Sequence, residues 1–207
     1  MISHIKRLFG EEFNSLLFLN LITVALMLPV VTIGPAVLAL NGTLINILND
    51  TCGQSRVHEY WGLFKRQFWK GILLELTVGA YGAILLWCAS VAAQQGERGL
   101  VLWAITVLMG FLASLASVCV CQILAAGEPS FTAALWNGIC MALGRLPQAF
   151  LAALCTYGVL VICYLFYPIS ILPLAVILLS TIAALSVSVL FPSVKELVID
   201  ALTDEKA

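Results

Sequence analysis

The stretch "LPVVTIGPAVLAL", Leu28 to Leu40, decides how this chain folds. It lies in a run without charge that begins after Glu12 and ends before Asp50. Such a run suits a helix in lipid, yet Pro29, Gly34 and Pro35 fall within seven positions of it. Proline removes a backbone donor and ends or kinks a helix. Pro29 is therefore expected to end one helix. Gly34 and Pro35 start the next, with proline in the first turn, where its missing N–H is no loss. "LPVVTIGPA" reads as a break between segments at about 14–30 and 35–49. The second segment is the more polar, with Asn41, Thr43, Asn46 and Asn49. It either crosses the membrane, enters and returns, or lies at the interface.

Composition names the solvent. Of the 207 residues 62% are hydrophobic and 10% charged, with a mean hydropathy of +1.06. Soluble domains hold about 45–50% apolar and about 25% charged residues. A chain this short keeps a large surface and cannot hide the excess in one core. The expected fold is an all-α polytopic transmembrane helix bundle, one integral membrane domain over 1–207. A net charge of -1 offers no basic face for nucleic acid. The seven cysteines lie mostly in apolar runs and read as small buried hydrophobes. With His4 and His58 the only histidines, no metal and no cofactor is expected. In "MISHIKRLFGEEFNSLLFLN" Glu11 and Glu12 separate the bases from the apolar run, so it reads as a cytosolic lead-in rather than a cleaved signal.

Length divides the remaining runs. No charge occurs between Arg145 and Lys195. As one helix that run would be roughly 70 Å long, against a bilayer core of about 30 Å. It must fold back, and "YPISILP", Tyr167 to Pro173, offers the turn between spans at 147–167 and 171–191. Segment 100–126 is free of charge, and 71–93 is apolar except for Glu75. "QQGERG" joins these two as a hairpin. About six membrane segments result, the second short or re-entrant. Cytoplasmic loops carry the excess of lysine and arginine. Lys6, Arg7, Arg56, Lys65, Arg66, Lys70, Arg145, Lys195 and Lys206 then place both termini and 127–145 on the cytoplasmic side of a cell membrane.

Within "HEYWGLFKRQFWKGI", His58 to Ile72, the residues Trp61, Phe64, Phe68 and Ile72 share one helical face. That spacing predicts an amphipathic helix over about 58–70 along the cytoplasmic leaflet, with aromatics inward and Lys65, Arg66 and Lys70 toward lipid phosphates. It is either a plain interfacial helix or a docking surface. Glu75 is either a proton-coupling or substrate-binding carboxylate, or an acid at headgroup level held by water or a nearby base. Asn20, Asn41, Asn46, Thr106, Ser114, Ser117 and Gln122 either line a pathway or bond across helices. Small residues at four-residue spacing, Ser180, Ala184 and Ser188 and again Gly79 and Ala83, suit close helix packing. No phosphate-binding glycine loop, no HExxH and no G-x-S-x-G occurs. The chain is expected not to be an enzyme.

"NLITVALMLPVVTIGPAVLAL", Asn20 to Leu40, and "YWGLFKRQFWKG", Tyr60 to Gly71, together resemble the YesL-type family of bacterial integral membrane proteins. The family pattern is an Asn-containing first helix, an "LP-x-x-T-I-G-P-A" break and an aromatic and basic segment. Members often carry aromatics and then bases in the helix after the break. Here that helix reads "NGTLINILND" and has neither. The resemblance implies a small multi-pass protein found beside carbohydrate ABC-transport and polysaccharide-utilisation systems. The resulting expectation is a non-enzymatic protein, accessory or regulatory to sugar uptake, that contacts the bilayer and either transporter subunits or its own copies. Its contact residues would be Asn20, Pro29, Thr32, Gly34, Pro35, Phe64, Lys65 and Phe68. The alternatives are a small secondary transporter, with its site at Pro29–Pro35 and Glu75, and a structural membrane subunit.

Overall fold

The structure is a computed structural model, described for residues 13–49, 51, 55–127, 130–158, 161, 165 and 179–199. It is helical throughout, with no strand among the described residues. Helix α1, Phe13–Met27, is followed by a 3-10 turn at Val30–Thr32 and by α2, Ile33–Leu48. Helix α3 is Arg56–Gln94 and α4 is Leu100–Ala126. Helices α5, Phe131–Gly144, and α6, Leu146–Ala153, meet at Arg145, and a π-helical turn at Leu154–Gly158 ends α6. Helix α7 is Leu179–Val194, with a π-helical turn at Lys195–Ile199. Four stretches are long and apolar enough to cross a membrane: Val30–Leu48, Arg56–Gln94, Leu100–Ala126 and Leu179–Val198. A fifth is added if Phe131–Gly144 and Leu146–Gly158, bent by 105°, make one span. The expected turn at Tyr167–Pro173 lies outside the described residues.

Three elements differ from the sequence reading, each for a physical reason. The break is tighter than expected. Helix α2 begins at Ile33, and with its 3-10 lead-in makes a 19-residue apolar stretch, so α1 is the shorter partner. Pro35 sits third in α2, where no intrahelical donor is needed yet. The interfacial helix at 58–70 and the span at 71–93 are one helix of 39 residues, about 58 Å long. Only glycine interrupts good helix formers at Lys70–Leu74. Glycine weakens a helix by about 1 kcal/mol, far less than proline. Residues 127–145, placed on the cytoplasmic side with no helix assigned, hold α5. Its sequence FTAALWNGICMALG is apolar, and Ser130 caps it by accepting from the Ala133 N–H at 3.3 Å.

Helix α2 is the centre of the fold: Ala36, Leu38, Leu40, Leu44 and Ile47 are all buried. It runs antiparallel to α3. At one end Asn46 Nδ2 donates to Glu59 Oε1 at 2.6 Å. At the other end Gly34 meets Gly71 backbone to backbone. Helix α2 therefore lies beside residues 59–75 of α3, and the break reaches no further than Gly71–Glu75. The final turns of α4 and helix α7 close the same core through Leu115, Ile123, Leu124, Val187 and Leu190. Residues 76–94 of α3 and the first half of α4 extend from it as a hairpin. Leu76, Ile84, Leu86, Trp87, Val101, Trp103 and Val107 are exposed there, which suits lipid rather than water. Gly96, at φ 58°, makes the turn.

Side-chain hydrogen bonds fix the other ends. Asn20 Oδ1 accepts from the Ser180 N–H at 2.8 Å, joining α1 to α7. Ser180, Ala184 and Ser188 face inward, almost fully buried. At the 105° bend Arg145 donates to Ser193 Oγ at 2.9 Å and pairs with Glu196, while Ser193 donates to Gln148 Oε1 at 2.6 Å.

The glycine contact allows a direct test. A Cβ on Gly71 would lie 2.4 Å from Pro35 N, whereas one on Gly79 would meet nothing within 4 Å. Gly71→Ala should destabilise the protein by about 1–3 kcal/mol through overpacking. Gly79→Ala should leave it unchanged or slightly stabilised. Thermal unfolding of the detergent-purified protein reads the difference, and equal midpoints for the two variants would contradict this packing.

Candidate functional site

The site begins where α1 stops. Its last carbonyls have no helical donor to pair with. The Thr32 hydroxyl donates to the Leu26 carbonyl and lies 2.7 Å from the Pro29 carbonyl, which also accepts from the Thr32 N–H at 3.0 Å. Pro29 itself is extended, at φ -77° and ψ 118°. At the start of α2 the Gly34 N–H donates to Glu75 Oε2 at 3.0 Å. Gly34 is the second residue of α2, so its N–H is one of the first-turn donors that the helix cannot pair. A helix N-terminus carries partial positive charge, which favours a carboxylate there. Gly71 precedes Glu75 by four residues and so shares its helical face. The glycine admits the neighbouring backbone, and the acid one turn later reaches its amide. Pro29, Thr32, Gly34, Pro35, Gly71 and Glu75 thus form one construction. The partner of Glu75 is a backbone amide of the broken helix.

Beside this contact opens a cavity of about 460 Å³, between α2, α3, α4, α7 and the turn after α6. Ile33, Val37, Leu40, Leu74, Val78 and Ile182 make most of its wall. Glu75, Asn41, Gln122, Ser186, Ser117 and Tyr157 supply the polar part. Asn41 Nδ2 donates to the Val37 carbonyl at 2.8 Å, so its oxygen faces the other way. That oxygen accepts from Gln122 Nε2 at 2.9 Å, and the same amide nitrogen donates to Ser186 Oγ at 3.2 Å. The orientation of Gln122 follows from this chain, because each amide presents two donors on one arm and an acceptor on the other. Gln122 is 2% exposed, and among the described residues its Oε1 has no hydrogen-bond partner. The Ser117 hydroxyl donates to the Ser114 carbonyl at 2.9 Å, and Tyr157 OH lies 2.6 Å from Ser117 Oγ. A second, apolar cavity of about 520 Å³ shares Leu74, Val78, Ser117 and Tyr157 with the first.

The other expected site residues are placed differently. Asn20 stands behind the wall, holding Ser180 next to Leu179. Phe64 is not a surface residue: it is buried with Tyr60, Leu63 and Gln67. It stacks on Trp61 at 5.5 Å and meets Phe68 edge-on at 5.7 Å. The aromatic face expected to meet lipid is at Phe64 a protein face, because α2 already occupies that side of α3. Phe68 is half-buried, and Lys65 is exposed with its ammonium 5.6 Å from the Trp61 ring centre. Trp61 and Trp69 remain exposed. Gln122 was legible as a polar residue in a charge-free run, but its unpaired oxygen depends on Asn41 and was not. Nothing in the local sequence marks Tyr157. Among the described residues no group of three His, Cys, Asp or Glu could hold a metal ion.

The model of a family described as "Protein of unknown function, DUF624" matches residues 15–87. The matched stretch contains both sides of the contact: Thr32, Gly34 and Pro35 on one, Gly71 and Glu75 on the other. Gln122 and Ser186 lie beyond it. No curated protein and no solved structure matches the chain.

Glu75→Ala should leave the Gly34 amide without its acceptor and destabilise the protein by about 1–3 kcal/mol. Glu75→Gln keeps a carbonyl in reach and should lose clearly less. Unfolding of the two variants in mixed detergent micelles compares them. Two variants as stable as the parent would remove the capping role.

Proposed function

We propose that the protein is a non-enzymatic multi-pass protein of a bacterial cell membrane, with both termini cytoplasmic, that assists or regulates carbohydrate uptake by contacting ABC-type transporter subunits. The resemblance to YesL-type proteins supports the setting. The observation that carries the contact is the exposed apolar surface on the two elements joined at Gly34–Gly71. On the break, Leu28, Val30 and Val31 are 81%, 69% and 61% exposed, and on α3 Trp69 is 74% exposed. Proteins rarely leave apolar groups of this size uncovered at a turn unless lipid or a partner covers them. Trp61, Lys65 and Arg66 continue this surface along α3, also exposed. Aromatic residues and arginine are enriched at protein interfaces. Phe64 supports the surface from beneath. Trp61→Ala combined with Trp69→Ala should weaken co-purification of sugar-transporter subunits at least tenfold, with the protein still in the membrane fraction. Undiminished co-purification would reject this surface.

A second reading, a small secondary transporter, is favoured by the Glu75–Gly34 contact. Broken helices whose termini face a binding site are how such carriers hold substrate. On this reading Glu75→Gln abolishes proton-coupled solute flux in proteoliposomes. Flux that persists in that variant would argue for the accessory role alone.

A further inference from the structure

We infer that the cavity beside Glu75 is a binding site for a small ammonium ligand with an apolar body. The argument is a count of donors and acceptors. Asn41 Nδ2 donates to the Val37 carbonyl, and Gln122 Nε2 to Asn41 and Ser186. The Ser186 hydroxyl donates to the Ala183 carbonyl at 3.1 Å, and that of Thr156 to the Ala152 carbonyl at 2.9 Å. Ser117 donates to Ser114, which leaves the hydrogen of Tyr157 for Ser117. The Gly34 amide is taken by Glu75. Apart from the weak thiol donor of Cys121, the side-chain donors of this wall are committed within the protein.

What remains open accepts hydrogen bonds. Even Gln122 Oε1, shut off from the cavity, finds no donor among the described residues. Glu75 uses Oε2 for Gly34, and among the described residues its second oxygen has none. A carboxylate beside an apolar wall calls for a cation. An ammonium group at Glu75 supplies that charge together with donors, and an anion or an acceptor-only molecule supplies neither. The wall around these atoms is apolar, and about 460 Å³ lies within the range of small-molecule sites. The ligand therefore carries its charge at one end and a hydrocarbon or aromatic body at the other. Two sources share this chemistry: a free amine and the ethanolamine headgroup of a phospholipid. This site requires no transport step, so binding without flux leaves it intact.

The test uses the full chain in phosphatidylcholine nanodiscs, titrated calorimetrically with 2-phenylethylammonium and with 3-phenylpropanoate, its anionic counterpart of similar shape. The cation should bind and the anion should not. Glu75→Gln keeps an acceptor for Gly34 and removes the charge. It should weaken cation binding about tenfold or more, at an unfolding midpoint close to the parent's. In a second arm, native mass spectrometry of protein from phosphatidylethanolamine nanodiscs tests the headgroup. Retained phosphatidylethanolamine, lost in Glu75→Gln, assigns the site to lipid. Equal binding of the anion overturns the proposal. So does cation binding that Glu75→Gln leaves within twofold, or no binding in either arm.

Discussion

The close approach of Gly34 to Gly71, secured by the hydrogen bond from the Gly34 amide to Glu75, is the constraint on which the rest of the structure depends. It fixes how far α2 can slide along α3. With that register set, Asn46 reaches Glu59 at the far end, and Asn41 faces Gln122 on α4. Gln122 in turn holds Ser186 of α7. One backbone contact therefore aligns four helices. The Glu75 side chain on the cavity wall also caps the helix that forms that wall.

This way of holding helices together suits an apolar surrounding. Lipid tails are as apolar as leucine, so burying more leucine gains little between helices there. Close backbone approach and hydrogen bonds between side chains carry the specificity instead. Both devices recur. Gly138 of α5 sits so near α4 that a Cβ would lie 2.3 Å from Val120. Tyr60, fully buried, lies within 3.1 Å of the Thr23 hydroxyl of α1 and donates to the Ala36 carbonyl of α2 at 3.4 Å. Gln67 donates to the Leu124 and Ala125 carbonyls near the end of α4, at 3.3 and 3.4 Å. Carbonyls of a last helical turn, which lack internal partners, are satisfied in this way.

Much of the helical plan was legible because it rests on local chemistry. Proline at 29 removes a donor wherever it stands, and a long run without charge needs lipid or burial. The break and the all-helical bundle follow from those facts. Other features were not legible because they depend on distant partners. Gly34 and Glu75 are 41 positions apart, and Asn20 and Ser180 are 160 apart. Each could be singled out, but nothing in the sequence pairs them. The continuity of α3 was missed for another reason. A change from basic to apolar composition at Lys70–Gly71 looks like an element boundary, but a helix backbone does not respond to polarity. Helix α5 was not expected, because 127–145 was placed on the cytoplasmic side between two spans, although the apolar pattern of Phe131–Gly144 is itself helical. The inward turn of Phe64 could not be read, since its face of α3 is apolar whether lipid or α2 covers it.

The uninterrupted length of α3 sets a depth. At about 58 Å it is nearly twice the thickness of the hydrocarbon layer. Placing Lys65, Arg66 and Lys70 at the membrane surface leaves Arg56–Lys70, about 22 Å of the rod, at or outside it, with α2 alongside residues 59–75. Glu75 then lies about 7 Å along the axis beyond Lys70, where headgroups give way to acyl chains. The pocket is in effect a notch cut into the waterline of the bundle.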